Sequence, residues 1–377
     1  MTKQSLSLAF IGGGINSAVG ATHKIASQMD GRFKVVAGCF SRHEQINMQT
    51  GSQWGIDDKR IYSTWQELLN TEENSIDAVV VLTPTPYHTD IVIAAIQKGI
   101  PVICEKALTT SVAEAIKIKQ AVEMHQGFLA VTYNYTGYPM LRELRHMIQN
   151  SKLGKLEQIQ IEMPQEGFAR LDKHGNPQTP QEWRLHDGDL PTISLDLGVH
   201  LHHIIDFLTN EKPLELVAVH NSFGSFRQVI DNTICIANYT NNLVCNIWYS
   251  KAALGHRNGL RVRIYGEAGS AEWYQMEPEV IYFNDNKGHK TIIDRGNVDV
   301  MVSSENKYNR FKSGHPAGFI EAFANHYHDI ADSLLIFKET GKANFSENVF
   351  DVYKAIDGLC MLEAIAYSSK NKTWGKV

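Results

Sequence analysis

Three short segments hold residue types that can move a proton or steady a charge. Asp196-Leu197-Gly198-Val199-His200-Leu201-His202-His203 sets an acid and an imidazole four residues apart. On a helix, Asp196 and His200 share a face, His203 joins it three residues after His200, and His202 points elsewhere. An imidazole that titrates near neutrality suits reversible transfer of a hydroxyl proton. Asp196 would then orient the ring or bind a hydroxyl. Glu105-Lys106 ends a short apolar run; a lysine there can polarise a hydroxyl or carbonyl, with Glu105 holding its ammonium. Gly12-Gly13-Gly14-Ile15-Asn16-Ser17 fits G-x-G-x-x-small, in which Gly12 permits a tight turn and Gly14 lets the backbone approach a pyrophosphate. The N–H groups of Ile15, Asn16 and their neighbours, with the positive end of a helix, would meet the phosphates. Metal ligation by Asp196, His200 and His203 is the rival reading. Neither a cysteine set nor His-Glu-x-x-His supports it, so no metal is expected. A packed core histidine is the other alternative.

The elements that must position these residues follow two rhythms. Over residues 1–130, β-branched runs alternate with helical stretches: strands at 7–11, 34–40, 78–82, 102–104 and 129–132, and helices from the glycine turn to 28, over 87–98, and from Ser111 to about 125. Ser111 and Glu114 form a capping-box pair. Apolar strands separated by helices imply a doubly wound parallel sheet, the Rossmann arrangement for a dinucleotide. After residue 150 the strands, at 155–163, 214–220, 234–239, 243–249 and 260–265, are often joined by short turns, which suits antiparallel pairing. Helices are expected at 196–208, 318–337 and 348–368, and loops at 170–191 and 296–315. The reading is α/β: an NAD(P)-binding domain over 1–130, then an α+β domain with a large, mainly antiparallel open sheet over 131–377, for substrate binding and oligomerisation.

The end of the second strand bears on the cofactor. An acid there would bind the ribose diol of NAD. The chain has Ser41-Arg42 instead, which can receive a 2′-phosphate, so the expectation is NAD or NADP with a lean to NADP. Thr83, Pro84 and His88 follow the third strand, where ligands bind in such sheets; a helix start without chemistry is the alternative.

Of 377 residues, 36 are Lys or Arg and 41 Asp or Glu, a net charge of −5 without a basic block, which argues against nucleic-acid binding. No apolar run is long enough to span a membrane. Five scattered cysteines, Cys39, Cys104, Cys235, Cys245 and Cys360, suit free thiols in a reducing, cytoplasmic setting.

Together these segments resemble the Gfo/Idh/MocA oxidoreductase family, the group of glucose–fructose oxidoreductase and inositol dehydrogenase, along essentially the whole chain. The glycine turn matches its first motif. Thr83-Pro84-Thr85-Pro86-Tyr87-His88 resembles Thr-Pro-Asn-x-x-His, Glu105-Lys106-Ala107 resembles Glu-Lys-Pro, and Asp196 to His200 matches Asp-x-Gly-x-His. Trp183-Arg184 resembles a pair that often precedes that motif, and Gly266 to Ser270 resembles a later Gly-x-x-Gly-Ser turn. The resemblance implies NAD(P)-dependent oxidation of a secondary alcohol on a sugar, glycoside or cyclitol, or the reverse. Lys106 and His200 become the catalytic pair, with Asp196 in support. Glu105 and Lys106 also face the cofactor, and a homodimer or homotetramer is implied. Two relatives' activities stay open as alternatives: a glycosidase using NAD transiently, and a ligand sensor without chemistry.

Three departures matter. Ala107 replaces the family's proline, and a trans Lys106–Ala107 bond is expected, since cis before a non-proline residue costs about 2.5–4 kcal/mol. His203 stands where the family often has Asp, and would read a different substrate hydroxyl. Asn134 and Tyr135, in a Tyr-rich stretch from 133 to 139, lie where many members carry a basic residue. That lining suggests a neutral polyol or glycoside, against the alternative of tyrosines in the core. Trp183 and Arg184 would cap the sugar.

Overall fold

A computed structural model describes residues 5–377. Five strands build one fully parallel sheet: β1 (Leu6–Gly12), β2 (Phe33–Cys39), β3 (Ala78–Leu82), β4 (Val102–Glu105) and β5 (Leu129–Thr132), in the order β2-β1-β3-β4-β5. Every residue of β3, β4 and β5 is buried. Such strands need cover on both faces. The helices α1 (Gly20–Gln28), α2 (Glu44–Trp54), α3 (Trp65–Glu72), α4 (His88–Gln97) and α5 (Val112–His125) run between them. The strand order reverses at β1 and β3, so the crevice past their C-terminal ends is the switch point where such sheets take a ligand.

Local chemistry explains the helix ends. Ser111 Oγ accepts from Glu114 N, as the sequence pattern predicts, but the Glu114 carboxylate turns back to Thr110, whose N–H and hydroxyl both donate to it. The first helix starts later than expected. Residues 15–19 form a turn, and α1 opens at Gly20.

A nine-stranded sheet forms the second architecture. Its strands are β6 (Leu156–Pro164), β7 (Pro213–Asn221), β8 (Asn232–Tyr239), β9 (Val244–Ser250), β10 (Arg261–Gly266), β11 (Gly269–Tyr274), β12 (Val280–Asp285), β13 (Lys290–Asp294) and β14 (Gly375–Lys376), ordered β13-β12-β11-β10-β6-β9-β8-β7-β14. All neighbours are antiparallel except β6 and β9. The inward row includes Ile159, Ile161, Ala237, Ile247, Val262, Ile264, Ala271 and Trp273, all nearly inaccessible. Alternate residues face out. The helices α6 (Pro139–Gln149) and α7 (Val199–Thr209) pack against this sheet. The sequence pattern reaches only the first five of these strands in full; β12 and β13 carry too many polar residues to stand out.

Two consecutive domains were expected, but the chain divides otherwise. One unit comprises the chain to Gly137 together with Phe319–Ile356; the other comprises Tyr138–Gly318 and Asp357–Val377. The reason lies in α8 (Phe319–Thr340), followed by α9 (Val352–Asn371). Phe323, Tyr327, Ile330 and Leu334 of α8 belong to the same buried cluster as Leu8, Phe10 and Val35 of the parallel sheet. Close approach is built in at Gly137, where a Cβ would stand 1.9 Å from the carbonyl oxygen of Ala322. Just beyond α8, Val131 N donates to Phe350 O at 2.7 Å, extending β5. Periodicity shows that α8 has an apolar stripe, not which core receives it.

Ile330 is fully buried in that cluster. Ile330→Ala should destabilise the N-terminal unit by about 2–5 kcal/mol. Urea unfolding followed through dinucleotide-dependent fluorescence checks this; a change confined to the other unit's transition would contradict the assignment of α8.

Candidate active site

At the switch point, the glycine turn is shaped for a pyrophosphate. Gly12 and Gly13 adopt φ of 83° and 76°, which L side chains rarely enter. A Cβ on Gly12 would lie 2.8–2.9 Å from the main chain of Leu82 and Thr83, and one on Gly14 3.0 Å from Phe40 O. Ile15 N donates to Thr50 Oγ1, and Asn16 is exposed. Ser17 fills the small position of the motif and takes a hydrogen-bonding role there. Its hydroxyl accepts from Val19 N and Gly20 N, so it caps α1. The close packing falls to Gly20, where a Cβ would sit 1.7 Å from Gly13 O. At the end of β2, Asn47 accepts from Phe40 N and donates to Tyr62 O, fixing the strand end that presents Ser41 and the exposed Arg42. Ser41 Oγ accepts from His43 N at 3.1 Å.

Past β3, Thr83 is half-buried and Pro84 exposed. His88 is buried and faces three main-chain carbonyls: Nε2 meets Thr83 O at 2.7 Å, and Nδ1 meets Ala107 O and Leu108 O, each at 3.1 Å. Its ring therefore staples the loop after β3 to the loop after β4 and presents no nitrogen to a ligand. Burial pushes its pKa down, against the pull of those carbonyls and of Glu105. The Lys106–Ala107 bond is cis, contrary to the trans bond expected from alanine; the His88 contacts hold the Ala107 and Leu108 carbonyls in place.

Glu105 ends β4 and is buried. Two groups besides Lys106 hold its carboxylate: His23 Nε2 lies 3.1 Å from Oε1, and the Thr132 hydroxyl donates to the same oxygen. Burial alone would raise its pKa. The His23 hydrogen bond and charge, the Lys106 charge and the Thr132 bond outweigh burial and hold it below the usual carboxylate range. The stability this group confers is present above the ordinary carboxylate pKa and is lost as pH falls through the depressed value. After β5, the turn Asn134–Gly137 is buried throughout. Tyr135 packs edge-on against Phe319 at 5.8 Å, and Tyr133 against Phe350 at 5.9 Å, as core tyrosines do. Asn134 Nδ2 and Thr83 Oγ1 are buried without a hydrogen-bond partner from the protein. Orphaned polar atoms at the strand C-terminal edge, beside a cradle that a Cβ would fill, fit a bound dinucleotide.

The second unit carries the Asp-x-Gly-x-His segment. It does not lie on one regular helix: Ser194–Gly198 form a π-helical turn and α7 begins at Val199, so the i, i+4 argument for Asp196 and His200 does not hold across it. Gly198 fits the turn because a Cβ there would meet the Tyr249 ring at 2.9 Å. His200, His202 and His203 are all buried. His202 lies apart, with Nδ1 3.0 Å from Met361 Sδ. Asp196 Oδ2 receives two cations, Arg184 and Lys251, the latter at 2.5 Å. The Arg184 guanidinium also covers one face of Trp183, 4.6 Å from the ring centre, which leaves that face closed to a sugar. Among the described residues, no three His, Cys, Asp or Glu side chains gather to hold a metal ion. No helix there is long and apolar enough to cross a membrane. The five cysteines are free.

Residues 6–133 match the family described as "Oxidoreductase family, NAD-binding Rossmann fold" (GFO_IDH_MocA), and residues 141–272 match the "GFO/IDH/MocA C-terminal domain". The solved structure of an oxidoreductase from Sinorhizobium meliloti is 30% identical, with a TM-score of 0.85 over 98% of this chain and 99% of its own. The chain belongs to the Gfo/Idh/MocA oxidoreductase family. An inositol dehydrogenase homolog from Azotobacter vinelandii, solved with NADH and myo-inositol, is 26% identical with a TM-score of 0.90, covering 99% of this chain and 98% of its own. "Uncharacterized oxidoreductase YfiI" of Bacillus subtilis (strain 168) is 28% identical over 99% of this chain and 97% of its own.

For this family member, the sequence signal led to the motif residues and missed their supports. Lys251 stands outside every motif and His23 lies just past the glycine turn, and no spacing rule links them to Asp196 or Glu105. Lys251 is buried, with its ammonium 5.4 Å over the Phe168 ring. Because it holds Asp196 in place, Lys251→Met should raise the KM for the substrate about tenfold or more while NADH affinity stays within about twofold. Steady-state kinetics with a parallel NADH titration checks this; an unchanged KM would remove Lys251 from the site.

Proposed function

We propose that this protein is an NAD(P)-dependent dehydrogenase of a secondary hydroxyl on a cyclitol, sugar or glycoside. The observation that carries the reading is the placement of Lys106 at the end of β4, one strand from the switch point where Gly12 and Gly14 open the phosphate cradle. The Azotobacter homolog with NADH and myo-inositol supports the same substrate class. A bound nicotinamide would supply the hydride acceptor. In oxidation the carbinol carbon gives up that hydride, its hydroxyl loses a proton, and a ketone forms. His200 takes the proton as general base and returns it in reduction. The Lys106 ammonium stabilises the charge that develops on the oxygen. Asp196, held by Arg184 and Lys251, receives a neighbouring hydroxyl. Trp183 and His203 are assigned to the substrate side, Asn134 to the dinucleotide, and Tyr135 to the core. Ser41 and Arg42, in place of an acid, favour NADP.

The test is a fluorescence titration with NADH and NADPH, then initial rates on a panel of myo-inositol, monosaccharides and glycosides. Lys106→Ala and His200→Ala should each lower kcat by about 10²–10⁴. Arg42→Ala should weaken NADPH about tenfold and spare NADH. Wild-type turnover in both catalytic variants ends the reading. Sugar release without net NADH would replace it with hydrolysis through transient oxidation, and binding without turnover would replace it with a sensor.

We further propose that the outward face of the nine-stranded sheet pairs with a second copy of this chain. Val219, Ile234 and Ile236 of β7 and β8 are exposed there, side by side in register. Sedimentation velocity should give a dimer or tetramer, and Ile236→Glu should shift it toward monomer; a monomeric wild type would refute the proposal.

A further inference from the structure

Behind Lys106 lies a closed hydrogen-bonded chain that the proposed chemistry does not use. His23 sits in the first turn of α1 with no exposed surface. Its Nδ1 is 2.7 Å from the Tyr327 hydroxyl of α8, and its Nε2 is 3.1 Å from Glu105 Oε1. Thr132 of β5 donates to that same oxygen. Tyr327 and Thr132 are each 1% exposed. The His23 ring packs against Phe323 at 4.5 Å between centroids and against Tyr327 at 5.8 Å, so it has one orientation.

A fold that needed only to dock α1 on the sheet would use apolar side chains there, since burying a carboxylate is costly. The carboxylate retained is the one directly before Lys106. The helix that reaches it begins at Gly20, at the end of the phosphate turn. A burying phenol keeps its proton: burial pushes the Tyr327 pKa well above the ordinary value. Its O–H can then donate to Nδ1, and Nε2–H donates to Glu105. Glu105 also feels the Lys106 ammonium, and His88 in turn feels the Glu105 charge.

We propose that His23 is a positioning residue: its Nε2–H fixes the Glu105 carboxylate, and through the Glu105–Lys106 main chain it sets the Lys106 ammonium relative to a dinucleotide held by the Gly12–Gly20 turn. The proposal rests on the reading that Lys106 acts on the substrate oxygen. It predicts that misplacing Lys106 slows chemistry and spares binding.

The experiment uses the full chain with NAD⁺ and myo-inositol as the probe pair. His23→Leu should lower kcat on the order of a hundredfold, with the NADH Kd within about threefold of wild type. His23→Gln, which keeps an N–H near the Nε2 position, should restore most of the loss. Equal losses in kcat and NADH affinity, or no advantage of Gln over Leu, would leave only a packing role and overturn the proposal. Should His23→Leu fail to fold, Thr132→Val removes the other donor to Glu105 and should lower kcat in the same way; an unchanged kcat there counts against the proposal. Lys106→Ala is run alongside: wild-type kcat in that variant sinks the functional reading, whereas loss there without loss in His23→Leu sinks the positioning role alone. Independently of turnover, ¹⁵N-histidine NMR should show a proton on His23 Nε2; a bare Nε2 excludes the donation to Glu105.

Discussion

A carboxylate buried at the end of β4 sets the terms for the N-terminal unit. An ionised Glu105 cannot be taken from water without donors supplied in return. The fold supplies them from two elements, His23 on α1 and Thr132 on β5, and Tyr327 on α8 completes the chain of bonds. These requirements draw α8 onto the parallel sheet although more than 180 residues separate it from β5 in the chain. The apolar cluster of Phe323, Ile330 and Leu334 with Leu8 and Phe10 provides the free energy; the polar chain provides the register.

The same logic of paired loops operates one strand away. His88 joins the carbonyls after β3 to those after β4, so the loop past β3 at the switch point is tied to the loop that follows β4. The phosphate turn is likewise over-determined. Gly12, Gly14 and Gly20 each meet main chain where a Cβ would stand, and Ser17 satisfies the first N–H groups of α1 without a longer helix. A cradle with its backbone already in place loses little freedom on binding.

In the second unit the acid of the motif is shared between two cations. Asp196 receives Arg184 from a loop and Lys251 from the end of β9 on one oxygen. A carboxylate so loaded is a well-fixed hydrogen-bond acceptor. The π-helical turn that carries Asp196 is what removes it from the regular face of α7.

The sequence by itself determined the alternation of strand and helix, the glycine turn at the end of β1 and the motif order along the chain. Those are local signals: apolar period, β-branched runs and residues that only a turn accepts. It also pointed to Glu105 and Lys106 at a strand end and to Asp196 and His200 in a helical segment, because chemistry-bearing residues stand out against their apolar neighbours. What only the tertiary structure decided is who holds them. His23, Tyr327 and Thr132 close on Glu105 across three elements, and Lys251 reaches Asp196 from 55 residues away. The assignment of α8 to the first unit, the cis bond at Ala107, the π-helical turn and the weakly apolar strands β12 and β13 belong to the same class. Each depends on a partner brought close by packing, and a pattern read along one segment contains no information about that partner.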